Sequence, residues 1–318
     1  MRWFLLVFFL QLAPAFAQNT QVWLSGVDPV AAHQFNWPDP DRPDYAGMFQ
    51  PNAAWQKAAS RISVFKMTAG VVLKMPEDVV SRIFADLKRR NIALAIEMGL
   101  LAGDGRCGVG VEGYAAPRTY DVVAKKVKRL GGDLNYLATD EPLWFGHKFG
   151  GRNACTSSID DLAKETSKAV AALKQTFPAI KVGDIEPVAN PRGPGWLEDL
   201  DHWMTSYQVA VGEPLAFVHA DVVWTGPWRD QLPKMAQIVR AHGAKFGVIY
   251  NGDGNDKTNV EWTRHAERTA MAVEKGLGLK PDQVVFQSWM PNPTKMLPDT
   301  QEGTMTCLVN WYVSGSCK

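Results

Sequence analysis

Acidic residues sit at the ends of apolar, strand-like segments in this 318-residue chain. Asp140-Glu141-Pro142 closes NYLATDEP, and Asp184 with Glu186-Pro187 closes KVGDIEP. Glu97 closes ALAIEM, Asp221 closes FVHAD, and Asp253 follows VIYNG. A carboxylate at the end of a buried strand must be solvated, paired or used. The chemistry such a set could do is acid–base cleavage of a glycosidic bond. One carboxyl group keeps its proton for the leaving oxygen, and a second is ionised as nucleophile or as base for water. Close acidic neighbours separate these roles by raising one pKa. Glu141 and Glu186 form the leading pair, because each ends a strand, precedes proline and comes from consecutive strands. Glu141 is assigned as the acid and Glu186 as nucleophile or base. Asp140 and Asp184 are the next catalytic candidates, with Asp221 as a further partner.

The two-residue period of a strand assigns faces to these groups. Phe217, His219 and Asp221 share a face opposite Val218, Ala220 and Val222. Glu97 shares one with Ala93 and Ala95, and Gln287 and Trp289 share one with Val285. Val182, Asp184 and Glu186 oppose Gly183 and Ile185 and are read as inward. Asp140 and Glu141 fall on opposite faces, and strand-end twist brings both to the rim. Asp28, Glu97, His219, Asp221, Tyr250, Asn251 and Gln287 are therefore expected to bind substrate. Trp144, Trp224 and Trp289, at or just after strand ends, add apolar faces on which a sugar stacks. Lone tryptophans are more often packing residues, so the group of them carries the inference.

The elements that would position these groups alternate along the chain. Strand patterns occur at 21–28, 62–69, 92–99, 134–141, 180–187, 215–224, 245–252 and 283–290. Helical patterns occur at 76–91, 158–178, 228–243 and 259–278, and a last short helix is expected near TMTCLVNWYV. Ser158 is an expected N-cap and Gly243 an expected C-cap. Eight strands alternating with helices predict a single-domain (β/α)8 TIM barrel over 18–318. Its active site would lie at the C-terminal ends of the strands. An open doubly wound sheet is the rival, but no G-x-G-x-x-G follows the first strand. The segment 29–60, rich in proline and aspartate, is expected to loop over the mouth.

Asp140-Glu141-Pro142 at the end of strand four resembles the Asn-Glu-Pro motif of retaining barrel glycoside hydrolases. The resemblance implies that Glu141 is the acid/base. In that clan a glutamate closing strand seven is the nucleophile, whereas here strand seven ends Tyr250-Asn251-Gly252-Asp253. Asp140 also replaces the usual asparagine, so only Glu141 carries over. Asp140-Glu141 also resembles the Asp-Glu pair of β-hexosaminidases, in which the glutamate is the acid and the aspartate orients an acetamido group.

The remaining composition bounds the class. Residues 1–17 read as a signal peptide, with Arg2, a short apolar run and Ala15-Phe16-Ala17. Removing them takes away only Arg2 and leaves 33 basic against 33 acidic residues. That balance gives no footprint for nucleic acid. A secreted or periplasmic protein is expected, with no membrane association after cleavage, a carbohydrate as partner and no cofactor or metal. The four cysteines are expected as disulfides, with Cys107–Cys155 the first choice and Cys307–Cys317 the remainder. Two other classes stay open. One is a non-catalytic carbohydrate-binding barrel of the cell envelope. The other is a metal-dependent or Schiff-base enzyme using His219, Asp221 or Lys66.

Overall fold

The computed structural model describes residues 20–317 except Val27, Asp104 and 189–194. The signal peptide assigned to residues 1–17 lies outside the described residues. Eight strands close into a parallel barrel in chain order. They are β1 (Gln21–Ser25), β2 (Val64–Thr68), β3 (Ala93–Met98), β4 (Leu134–Asp140), β5 (Lys181–Val188), β6 (Phe217–Val222), β7 (Lys245–Tyr250) and β8 (Gln283–Gln287). Each falls within its expected segment or overruns it by one residue. The ring closes where Gln21 pairs with Gln283.

Among the described residues, seven longer helices cover the outside: α1 (Glu77–Arg90), α2 (Thr119–Arg129), α3 (Ile159–Thr176), α4 (Trp196–Val211), α5 (Trp228–Ala241), α6 (Asn259–Met271) and α7 (Met305–Ser314). In α1, acids open the first turn and bases fill the last, matching the helix dipole. The Ser158 side chain caps α3 by accepting from the Asp161 N–H. Thr258 and Glu261 make a reciprocal capping box at α6. The segment between β1 and β2 departs from the expected loop. It folds into short helices at Pro29–Gln34, Pro43–Gly47 and Gln56–Ala59. It buries Tyr45, Met48, Phe49 and Trp55, and the Arg42 guanidinium donates to the carbonyls of Pro291 and Pro293. Apolar residues spaced at 45, 48, 49 and 55 make it part of the core.

The barrel interior takes one side chain from every strand: Trp23, Val64, Ala95, Ala138, Ile185, Phe217, Ile249 and Val285. Alanines on β3 and β4 leave room for the Trp23 indole, which lies against Tyr136, Phe217 and His219. A Cβ at Gly183 would sit 2.4 Å from the Phe217 ring, so β5 needs glycine there. This alternation of large and small residues fills the barrel as a packed core.

Two disulfides are present, Cys107–Cys155 and Cys307–Cys317, in the pairing preferred from the sequence. Among the described residues no helix is long and apolar enough to cross a membrane. Trp23 is fully buried, so Trp23→Ala should lower unfolding stability by about 3–5 kcal/mol. Urea denaturation checks this; a loss below about 1 kcal/mol would show that the interior collapses around the gap.

Candidate active site

One layer above the apolar ring, the inward positions turn polar. Lys66 on β2, Glu97 on β3, Asp140 on β4, Asp221 on β6 and Gln287 on β8 follow Val64, Ala95, Ala138, His219 and Val285 by two residues each. The change of residue type alone converts a packed core into a site. Above this layer lies a cavity of about 290 Å³ at the C-terminal ends of the strands. Glu97, Glu112, Asp140, Glu141, Asp221 and Gln287 supply its polar lining. Trp144, Phe145 and Trp289 supply its aromatic wall.

Lys66 is the cation at the floor. Its side chain is fully buried, pairs with Glu97, and donates to Gln287 Oε1 at 2.6 Å. Gln287 Nε2 in turn donates to both Glu97 oxygens, at 3.0 and 3.2 Å. Glu97 is thereby held as an ion-paired, triply hydrogen-bonded carboxylate.

The other acids sit in a drier setting. Burial, then Glu97 and Glu112, pushes the Asp140 carboxyl well above the usual range. Glu141 is also held well above that range, by burial and then by Asp221, Glu186, Glu112 and Asp140. Asp221 rises to about 6 through burial, restrained by its hydrogen bond with Glu141. Two carboxyl groups in hydrogen-bond contact share one proton, because neither has another hydrogen to give. Glu112 rises to about 7, from burial and then from Asp221 and Glu97.

Glu141 reaches the cavity by leaving the strand pattern. Asp140 already points inward with Ala138, so strict alternation would turn residue 141 outward. Its backbone is left-handed, with φ of 47°, and this returns its side chain to the mouth. The N–H of Glu141 donates to the Ile185 carbonyl at 3.1 Å. A single π-helical turn, Trp144–Lys148, follows and presents Trp144 and Phe145 to the cavity.

Glu112 was not foreseen. It lies in the glycine-rich segment GRCGVGVEGY, which has no strand or helix period. The loop is tied to the one after β4 by Cys107–Cys155 and by reciprocal bonds between Gly108, Val109 and Asn153. Gly113 has φ of 81°, and a Cβ there would lie 2.9 Å from the Asp140 carbonyl oxygen. Only glycine lets the loop press this closely on the end of β4 and deliver Glu112. The placement of Cys107 and Cys155 in the loops after strands three and four was the sequence signal that these loops meet.

Several expected site residues lie elsewhere. Asp184 and Glu186 are fully buried outside the barrel lumen, because β5 turns Ile185 and Pro187 inward. The inward reading had the parity of β5 reversed. Asp184 accepts from Thr139 Oγ1 at 2.6 Å and from Trp203 Nε1 at 2.7 Å. Glu186 accepts the backbone N–H groups of Leu143 and Trp144, at 2.7 and 3.1 Å. Tyr250 also faces outward, with its hydroxyl bonded to Glu274 at 3.0 Å, so Ile249 lines the cavity instead. His219 is sealed below the polar layer and bonds Gln283 at 2.8 Å; burial, then Lys66, lowers its pKa to about 3. Asp28 caps the Pro29–Gln34 helix and accepts from Thr68. Asn251 is buried and accepts the Trp224 indole N–H at 2.5 Å, so these two brace each other beside the mouth.

No protein-family model and no curated relative matches this chain. Solved structures do match. The chain is similar to the GH53 catalytic domain of Ignisphaera aggregans, at 8% identity and a TM-score of 0.53, covering 86% of this chain and 87% of that one. It is also similar to a GH10 endoxylanase from a sugarcane soil metagenome, at 8% identity and a TM-score of 0.50, with 86% of each chain covered. It spans 54% of the length of a Sinorhizobium meliloti isomerase candidate, at 13% identity and a TM-score of 0.43. At such identities the likeness shows the shared TIM barrel.

The raised Asp140 pKa has a consequence for stability. A carboxyl raised in the folded state favours folding most below its unfolded pKa of 3.8, and that contribution is lost as pH rises through the folded value. Asp140→Asn should therefore raise the melting temperature at pH 8 and leave it unchanged at pH 3. An equal shift at both values would mean that the substitution acts through packing alone.

Proposed function

We propose that this chain is an exported glycoside hydrolase that cleaves O-glycosidic bonds in a poly- or oligosaccharide. The observation that carries the reading is the hydrogen-bonded Glu141–Asp221 pair in a cavity walled by Trp144 and Trp289. Glu141 is the proton donor, since burial and acidic neighbours keep it protonated. Direct hydrogen-bond contact is shorter than the roughly 5 Å that separates the carboxyl groups of a retaining pair. Asp221 is therefore placed as the group that holds and tunes the donor's proton. Glu97, fixed as an ion pair by Lys66, is the second carboxylate, acting on the anomeric carbon or on water. It takes the place first given to Glu186. The indoles offer stacking faces, while Glu112, Asp140 and Gln287 are available to hydroxyl groups. Export is part of the proposal, supported by the leader pattern of residues 1–17 and by two disulfides.

A glycan panel with mature protein, run beside Glu141→Gln and Glu97→Gln, tests this. New reducing ends are expected from the wild type, with each variant slower by roughly 10²–10⁴-fold. Equal cleavage by wild type and Glu141→Gln would sink the assignment. Binding by all three without cleavage would favour a carbohydrate-binding barrel.

The pH profile gives a second test. In the wild type, kcat/KM should fall below about pH 6 as Asp221 takes up a proton. It should fall again at high pH as Glu141 loses its own. Asp221→Asn should remove the acid limb; an unchanged limb would assign it to another group.

A further inference from the structure

We propose that Glu186 is a positioning residue for Glu141, holding from behind the barrel wall the turn that keeps residue 141 in its left-handed backbone. The inference rests on the reading of Glu141 as proton donor. A non-glycine residue with φ of 47° is a costly conformation that persists only when its surroundings hold it. The surroundings here are specific. The Glu141 N–H goes to the Ile185 carbonyl, and Pro142 has no N–H to place. The next two N–H groups, of Leu143 and Trp144, both go to the Glu186 carboxyl. The Glu141 carbonyl then accepts from the Phe145 N–H at 3.0 Å. Every N–H of the turn is accounted for, and Glu186 takes two of them from the neighbouring strand.

Glu186 is itself fixed. It shares a hydrogen bond with Asp184, and Asp184 is held by Thr139 Oγ1, by the Ile185 N–H and by the Trp203 indole of α4. A continuous polar chain thus runs from a helix outside the barrel, through two buried acids, to the turn that aims Glu141 and Trp144. Glu186 is absent from the cavity lining and so cannot touch a substrate there. Its proximity also helps keep Glu141 protonated, alongside Asp221, Glu112 and Asp140.

Glu186→Ala and the near-isosteric Glu186→Gln test the idea, with readouts that need no substrate. Amide hydrogen exchange at Leu143 and Trp144, followed by NMR, should quicken by roughly tenfold to a hundredfold in the alanine variant. In the glutamine variant one of the two amides loses its acceptor oxygen and should quicken alone. The ¹³C carboxyl signal of Glu141, assigned by its disappearance in Glu141→Gln, should titrate at lower pH in both. On a glycan that the wild type cleaves, kcat should fall while KM stays within about twofold. Unchanged exchange and an unchanged Glu141 titration in the folded variants would overturn the proposal. If Glu186→Ala does not fold, Glu186→Gln decides alone. A wild type that cleaves no glycan would sink the hydrolase reading, while exchange and titration still decide the role of Glu186.

Discussion

Like-charge crowding governs this barrel. Five carboxyl groups surround one small cavity, and among the described residues Lys66 is the cation paired at its floor. Ionising all of them in a poorly solvated space would cost more than the fold could supply. The structure meets that constraint in two ways. Glu97 takes the lysine and the Gln287 amide, and Glu141 and Asp221 share a proton. Burial and acidic neighbours raise the remaining two, Glu112 to about 7 and Asp140 well above the usual range. The contrast between a proton-sharing acid pair and an ion-paired carboxylate therefore follows from the crowding itself.

A second pair of buried acids, Asp184 and Glu186, lies behind the wall under the same constraint, with a different solution. Indole, hydroxyl and backbone N–H donors surround it. Burial raises both groups, Asp184 to about 7 and Glu186 well above its usual range. The two acidic layers sit on opposite sides of one strand pair. They are joined through Ile185, whose carbonyl accepts the Glu141 N–H while its side chain fills the interior.

The barrel was legible because parallel strands and amphipathic helices each carry a strong period. All eight strands and the helices α1, α3, α5, α6 and α7 could be read in this way. The helix α2 went unassigned because its apolar face is only Val123, Ala124 and Val127 among many lysines and arginines. The helix α4 was obscured by tryptophan, tyrosine, threonine and histidine, which mix apolar and polar character on both faces. In the site, Glu97, Asp140, Glu141, Asp221, Gln287 and the tryptophans 144 and 289 meet at one cavity as their strand-end positions implied. The parity of β5 was not readable, because Val182, Ile185 and Val188 are apolar on both faces and a strand buried on both sides shows no alternation. Glu112 was out of reach because its place depends on a cross-loop disulfide and on a glycine contact with another strand.

The seam between β1 and β8 separates the ring from a stack of local units. Gln21 pairs with Gln283, so the first strand waits for the last before the sheet has no edge. Until then each growing intermediate keeps two unpaired rims of N–H and C=O groups. Helix α7 packs against both β1 and β8, so the final turns of chain also cover this joint. Contacts of such long sequence separation form slowly. A ring that closes late leaves strand edges exposed in its intermediates, and such edges invite aggregation before closure.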